Sequence, residues 1–540
     1  MLEGTMMDYP LTLTQMLERA KTFFSKREVV SRMPDRSLHR YTYKDMYARA
    51  GQLANALKRL GIGPSDRVAT LCWNHYRHLE LYTAVPAMGA VLHTLNLRLH
   101  PNELRYIASH AEDKVVVVDK SLLPLLEKFV KEVPSVKHVI VIGEGGEPVS
   151  GTLDYEKTLA AESEAFAWPV LDEKSAALIC YTSGTTGNPK GVVYSHRSMV
   201  LHSLTECMSD TLGIGERDVI LPVVPMFHAN AWGIPFSALL TGASLVFPGP
   251  HMDADSILDL LANEKVTLAA GVPTIWLGIL SRLDEATKKP DLSRVRSMII
   301  GGSAAPPAMI DGFDKRHGLE VVHAWGMTET NPLGTVAKLR RVHDTMSSEE
   351  KLSVRSSQGY AVPFVEQRHT TDTGEIVPWD GKTMGELEVR GPWVVKSYFG
   401  GEGKDRFTKD GWFKTGDVVT IDANGYVRIC DRSKDVIKSG GEWISSVELE
   451  NALMSHPAVL EAAVFAGRHK KWDERPIAAI VFKQGARASD DELRAHLAAK
   501  FPKFWLPDAY VAMDQIPRTS VGKFLKTKLR ELYGDKLLEN

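Results

Sequence analysis

The chain has 540 residues, well past the roughly 250–300 at which a single hydrophobic core stops growing, so at least two domains are expected. Its 44% hydrophobic and 24% charged residues exclude the disordered and fibrous classes. With 65 Lys and Arg against 67 Asp and Glu, the formal charge of −2 excludes a global field that would draw the chain to nucleic acid or to an anionic membrane. Any anionic ligand has to be held by a local site.

Near the start, Leu53, Leu57 and Leu60 recur at helical spacing and stop at Gly61, and Arg67 to Leu71 then reads as a buried strand. The same rhythm returns. Lys114 to Asp119, Val136 to Ile142, Ala176 to Cys180 and Arg296 to Ile300 are short apolar or β-branched runs separated by helical stretches, the pattern of a parallel sheet covered by helices. In such sheets ligands gather beyond the carboxyl ends of strands, which directs attention to the Gly-rich turns found there.

The stretch from Val219 to Met252 carries no Lys, Arg, Asp or Glu, but Pro222, Pro225, Pro235 and Pro248 interrupt it. His228, Asn230 and Ser237 would also need partners in lipid, so it is expected to be core or ligand tunnel and not a membrane span. From Asp431 onward the texture changes. Ser445-x-x-Glu448 and Ser489-x-x-Glu492 read as capping boxes, while Ala462 to Phe465, Ile477 to Phe482 and Tyr510 to Met513 read as strands. The expectation is an α/β fold: a large domain of helix-covered β-sheets over 1–431, then a small mobile α+β domain over 432–540. Cys72, Cys180, Cys207 and Cys430 lie far apart without a C-x-x-C pair, and no apolar signal segment opens the chain, so a cytoplasmic location is expected.

The strongest local signal is the turn from Tyr181 to Gly191, directly after the apolar run ending at Cys180. It offers Thr182, Ser183, Thr185 and Thr186 as hydroxyls, with Gly184, Gly187 and Lys190. Glycine lets backbone N–H groups approach a phosphate chain and lysine supplies charge. The spacing is not that of the Walker loop, since Lys190 is followed by Gly191 where Ser or Thr would be needed.

This turn resembles the phosphate loop of the acyl-adenylate-forming superfamily of acyl-CoA synthetases, luciferases and adenylation domains. Further motifs of that superfamily follow in order: His323 to Glu329, Gly385 to Gly391, Trp412 to Asp417, Asp431 to Asp435 and Pro517 to Lys523. The likeness spans nearly the whole chain, and it is nearest to bacterial medium- and long-chain fatty acyl-CoA ligases and methylmercaptopropionate-CoA ligases.

The resemblance implies ATP, Mg2+ and coenzyme A as cofactor and substrates, with AMP and pyrophosphate released through an acyl-adenylate. ATP and a carboxylate repel each other, so cations and a metal are required before in-line attack. It makes Glu329 the magnesium carboxylate together with Thr185, and Thr328 a donor to the α-phosphate. Ser303, Ala304 and Ala305, with His323, Ala324, Trp325 and Gly326, would border the adenine. Asp417 would hold the ribose hydroxyls, supported by Arg432. Lys523 takes the place of the adenylation lysine, and Lys434 that of the pivot between the two chemical steps. Lys438, with Ser439, Gly440, Gly441 and Trp443, would face the adenylate and form the pantetheine channel.

The run Pro225 to Gly233 resembles the acyl-pocket segment, with Trp232 as gate and His228 and Gly302 at the pocket. Amino-acid adenylation domains carry an aspartate after the corresponding aromatic; here His228 follows Phe227 and argues against amino-acid substrates. The reading is therefore a fatty acid–CoA ligase. A short-chain acid ligase, a luciferase-like oxygenase and a carrier-protein loader are the alternatives. A homodimer is inferred from relatives, with no nucleic-acid partner and no transmembrane segment.

Overall fold

The computed structural model describes residues 4–143, 150–182, 188–440, 442–518 and 524–538. Two compact units emerge, one formed by 1–366 with 390–413 and the other by 367–389 with 414–540.

The first unit is built on two sheets. In the seven-stranded sheet the order is Leu153–Asp154, His138–Ile142, Val115–Asp119, Arg67–Leu71, Val91–Thr94, Ala176–Tyr181 and Gly191–Ser195. All neighbours run parallel except the last two, which form a hairpin. Val115, Val116, Val117 and Val118 are fully buried, which is why this strand reads as an unbroken apolar run and not as an alternation.

The nine-stranded sheet is ordered Tyr360–Ala361, Leu333–Val336, Val321–Gly326, Ser297–Ile300, Leu268–Gly271, Val219–Pro222, Ser244–Phe247, Glu28–Arg32 and Leu38–Thr42. Its centre is parallel, and antiparallel strands close it at both ends. Trp276, Phe313, Ile279 and Ile300 belong to one buried cluster that joins helices Pro273–Glu285 and Pro307–His317 to this sheet. The charge-poor stretch resolves into the strands Val219–Pro222 and Ser244–Phe247 around the short helix Ile234–Thr241. Among the described residues no helix is long and apolar enough to cross a membrane.

In the second unit a four-stranded sheet, Glu366–Thr370, Gly385–Arg390, Phe413–Ile421 and Val427–Arg432, precedes a five-stranded one. The latter centres on the long antiparallel pair Val459–His469 and Asp473–Phe482, with Ala509–Ala512 parallel to the second of these. Its faces separate by the two-residue period of a strand. Ala462, Val464, Ala478 and Ile480 face the cluster that includes helices Ser446–Met454 and Asp490–Ala498. Ala463, Phe465, Ile477 and Ala479 face Ile516 and Leu529 on the other side.

Ser489 and Glu492 form the expected capping box. Ser445 does only half of that work: its side chain accepts the Glu448 N–H, while its hydroxyl donates to the Cys430 carbonyl. The strand Val427–Arg432 runs on through Cys430 to Arg432, because Asp417 and Arg432 are register partners across the last hairpin of the four-stranded sheet.

Candidate active site

The turn singled out in the sequence sits where a ligand loop of an α/β sheet should, beyond the carboxyl end of strand Ala176–Tyr181. It closes a hairpin: the Thr182 N–H donates to the Lys190 carbonyl at 2.9 Å, and Tyr181 pairs with Gly191. Ser183, Gly184, Thr185 and Thr186 lie outside the described residues, as do Gly441 and Lys523.

The strand leaving this turn, Gly191–Ser195, carries Tyr194, whose buried phenol donates to the Thr328 carbonyl at 2.7 Å. Thr328 opens the short turn Thr328–Thr330 that follows strand Val321–Gly326. Beside it, Glu329 is 7% exposed, and its Oε1 accepts the Tyr398 hydroxyl at 2.7 Å. Burial and the adjacent carboxylate push the Tyr398 phenol well above its usual pKa, so it stays protonated and remains the donor. The Val395 N–H fixes the Glu329 carbonyl at 2.8 Å. Three segments thus converge, around 181–194, 326–330 and 395–399. Tyr398 had no sequence signal beyond being an aromatic near a Gly-Gly pair.

The segment expected along adenine forms a continuous wall. Ile300 pairs with His323, and the loop after strand Ser297–Ile300 exposes Gly302, Ser303 and Ala304 while Ala305 is buried. His323, Ala324 and Trp325 are buried, and burial depresses the His323 pKa so that the ring is neutral. A Cβ on Gly301 would lie 3.1 Å from both the Ala324 carbonyl oxygen and Trp232 Cη2, so the wall and Trp232 meet closely over this glycine.

Trp232 belongs to an unusual segment. Ala229, Asn230, Ala231, Trp232 and Gly233 have φ of 43, 55, 50, 58 and 79°, a complete left-handed turn. Each non-glycine residue there costs about 1–2 kcal/mol, so surrounding contacts must impose it. One is the buried Asn230 side chain, whose Oδ1 lies 3.3 Å from Cys180 Sγ. His228, at the head of the turn, is exposed.

Within the second unit Asp417 is fully buried and its Oδ1 lies 2.9 Å from Arg432 Nε. Lys434 is exposed in the turn after that strand, where the Asp435 N–H returns to the Arg432 carbonyl at 2.8 Å. Lys438 and Trp443 are register partners, with Lys438 Nζ 5.2 Å from the indole centroid and 2.7 Å from Asp372 Oδ2. Ser439 Oγ accepts from Arg475 at 3.2 Å, and Gly440, with φ of 58°, leaves no room for a Cβ, which would come 2.8 Å from Trp472.

Residues 17–399 match the model of the AMP-binding enzyme family, and residues 448–523 match its C-terminal domain. The chain belongs to the AMP-binding enzymes. A long-chain-fatty-acid–CoA ligase of Thermus thermophilus is 49% identical over 533 residues, covering 98% of this chain and 97% of that one. A medium-chain-fatty-acid–CoA ligase of Ectopseudomonas oleovorans is 46% identical over 542 residues, covering 99% and 98%. Among solved structures, the anthranilate CoA ligase AuaEII in complex with anthranoyl-AMP superposes with a TM-score of 0.84 at 25% identity, covering 99% of both chains. The superfamily resemblance drawn from the motifs and the α/β fold class are both borne out.

For an AMP-binding enzyme, the donor set at Glu329 suits magnesium: a hard carboxylate oxygen on a buried turn that also carries the Thr328 hydroxyl. Among the described residues no group of three or more His, Cys, Asp or Glu could hold a metal.

Next to the left-handed turn lies a second carboxyl, Glu206, which sequence reasoning missed. It is 1% exposed, accepts the Ser237 hydroxyl and stands 4.0 Å from His202 Nδ1. Burial pushes its pKa up to about 8 and that of His202 down to about 3. At neutral pH both are uncharged, so the contact is not a salt bridge.

Two outcomes follow from these geometries. Because the folded Glu206 binds its proton more tightly than an ordinary carboxyl, its contribution to stability is complete below about pH 4.5 and is lost as pH rises through about 8. Unfolding midpoints in urea should therefore fall more steeply in wild type than in Glu206→Gln between pH 5 and 9, with a divergence of up to about 4 kcal/mol. Parallel curves would show that Glu206 is ionised in the fold. Tyr398→Phe removes a charge-assisted hydrogen bond at a buried carboxylate, which should cost roughly 1.5–3 kcal/mol of stability and lower kcat/KM for ATP about tenfold or more. A change under about twofold would make the phenol irrelevant to catalysis.

Proposed function

We propose that the chain is an AMP-forming fatty acid–CoA ligase acting on medium- or long-chain acids. The observation that carries the reading is the convergence of the Thr182–Lys190 hairpin, Thr328 and the Tyr398-bound Glu329, in a chain that matches two fatty-acid–CoA ligases over almost all of its length.

In the first step the acid's carboxylate attacks the α-phosphorus of ATP, pyrophosphate leaves, and an acyl-adenylate remains. The phosphate chain lies along Thr182, Ser183, Gly184, Thr185, Thr186 and Lys190, and Thr328 donates to the α-phosphate. Magnesium, carried by Glu329 with Thr185, would neutralise the phosphate oxygens. Adenine rests on Ser303, Ala304, Ala305 and the stretch from His323 to Gly326, and Asp417 with Arg432 receives the ribose. Lys523 bridges carboxylate and α-phosphate where charge builds up, a placement worth roughly 3–4 kcal/mol in the transition state. The acid enters past Trp232, with His228 and Gly302 at its carboxyl end.

In the second step the thiol of CoA attacks the acyl carbonyl and AMP leaves. Residues 432–540 act as the mobile domain, pivoting at Lys434 to bring Lys438, Ser439, Gly440, Gly441 and Trp443 to the adenylate and the pantetheine arm. A homodimer in the cytoplasm completes the reading.

Purified protein incubated with ATP, magnesium and acids of about four to eighteen carbons, with and without CoA, tests it. CoA-dependent AMP release should peak at medium or long chains, since each buried methylene is worth roughly 0.8 kcal/mol. A peak at four carbons would overturn the substrate class, and AMP release indifferent to CoA would overturn the acceptor. Lys523→Ala should slow adenylation by about a hundredfold or more and spare thioester formation from supplied adenylate. Equal loss in both steps contradicts the assigned role. Lys434→Pro fixes φ at the pivot and should impair thioester formation more than adenylation; equal rates in the two steps would remove the hinge from that residue.

A further inference from the structure

The second unit buries a charge that no step above uses. Lys526 is the first residue of the helix Lys526–Tyr533 and is only 8% exposed. Its Nζ lies 2.7 Å from Glu450 Oε1 and donates to Ser446 Oγ. Glu450, 7% exposed, also accepts the Val464 N–H at 2.7 Å, and the Ser446 N–H donates to Asp431 Oδ2 at 2.6 Å. One cluster therefore joins the terminal helix to helix Ser446–Met454, strand Val459–His469 and strand Val427–Arg432. One helical turn beyond Lys526, Arg530 pairs with Asp435 at 3.0 Å. Burial by itself would discharge Lys526, but the carboxylates of Glu450 and Asp431 hold its pKa above the usual lysine value.

Stability is a weak reason for such a cluster, because replacing a buried ion pair by apolar side chains is often neutral or stabilising. What a buried ammonium does impose is register: a helix that slips by one residue leaves two charges unpaired in the core. The segment whose placement depends on that register is the one just before the helix. Its two flanks close on each other directly at the start of the helix, through the bridge between Arg518 and Phe524 and the Leu525 N–H donating to the Pro517 carbonyl at 2.8 Å, so they inherit the helix's register. Arg518 also stacks 4.7 Å from the Phe524 centroid and pairs with Glu461. Lys523 precedes Lys526 by three residues.

We propose that Lys526 is a positioning residue for adenylation: its buried pair with Glu450 fixes the start of the helix that follows Lys523, while Lys526 itself touches neither nucleotide nor acid. The proposal rests on the reading of Lys523 as the adenylation lysine. The test uses full-length Lys526→Met, Lys526→Arg, Lys523→Ala and the Lys523→Ala/Lys526→Met double variant. Pyrophosphate release from acid and ATP reports adenylation, and thioester formation from supplied acyl-AMP and CoA reports the second step.

Lys526→Met should lower kcat for adenylation about tenfold or more, leave KM for ATP and the second step within about twofold, and be largely rescued by Lys526→Arg. In the Lys523→Ala background it should cost nothing further, because an effect that acts through Lys523 vanishes when Lys523 is gone. Equal losses in both steps, or losses that multiply in the double variant, would overturn the proposal. If Lys526→Met does not fold, the isosteric Glu450→Gln carries the same test, with the same split expected. Should Lys523→Ala leave adenylation intact, the lysine assignment itself fails and this proposal with it. If Lys523→Ala abolishes adenylation while Lys526→Met spares it, only the positioning role falls.

Discussion

The phenol of Tyr194 reaching the carbonyl of Thr328 joins the two sheets of the first unit at the point where chemistry is expected. Tyr194 stands on the returning strand of the Thr182–Lys190 hairpin, in the seven-stranded sheet. Thr328 follows a central strand of the nine-stranded sheet. The acceptor is a backbone oxygen, so the link sets the path of the main chain and leaves the hydroxyl of Thr328 and the carboxylate of Glu329 available to be aimed by their own contacts. Burial holds the Tyr194 phenol far above its usual pKa and hence protonated at any physiological pH. This link adds a directed hydrogen bond to the contacts that align the hairpin and the acidic turn.

The protein treats four of its buried carboxyls in four different ways. Glu329 receives a neutral phenol, as would suit the cation proposed for it. Asp417 faces a half-exposed arginine across a strand pair, so its charge is balanced while its surroundings stay polar. Glu450 is matched by a buried ammonium. Glu206 has only a hydroxyl and a neutral imidazole and keeps its proton. The first two fit ligand contact, because a ligand's own charge can complete them. The last two are closed within the protein and shape it.

Much of this was legible in the sequence because it follows from strand burial and from glycine. The runs at Arg67–Leu71 and Ala176–Tyr181 lie where their apolar character put them, since both faces of a parallel sheet are covered. What escaped the sequence depends on residues distant along the chain. The extension of a strand to Arg432 reflects its pairing with Asp417, and the half-formed cap at Ser445 reflects competition from the Cys430 carbonyl. Tyr398 and Glu206 are hydrogen-bonded to Glu329 and Ser237, partners at least thirty residues away that no local pattern announces.

The left-handed turn from Ala229 to Gly233 is the clearest such case, because Ala-Asn-Ala-Trp contains just one residue that favours positive φ. The strain is held from two directions. Asn230 is anchored to Cys180, the residue before the last of the strand that leads into the Thr182–Lys190 hairpin, and the Trp232 indole lies against Gly301, at the end of the strand that leads into the adenine wall. Behind the turn, Gly233 is pressed so close to His202 that a Cβ would come within 2.8 Å of the imidazole. The segment assigned to the acid is therefore not an independent pocket appended to a nucleotide site. Its backbone is braced by the same two strands that lead into the segments proposed for phosphate and adenine, so under that assignment a change in either strand would reach the segment proposed for the acid.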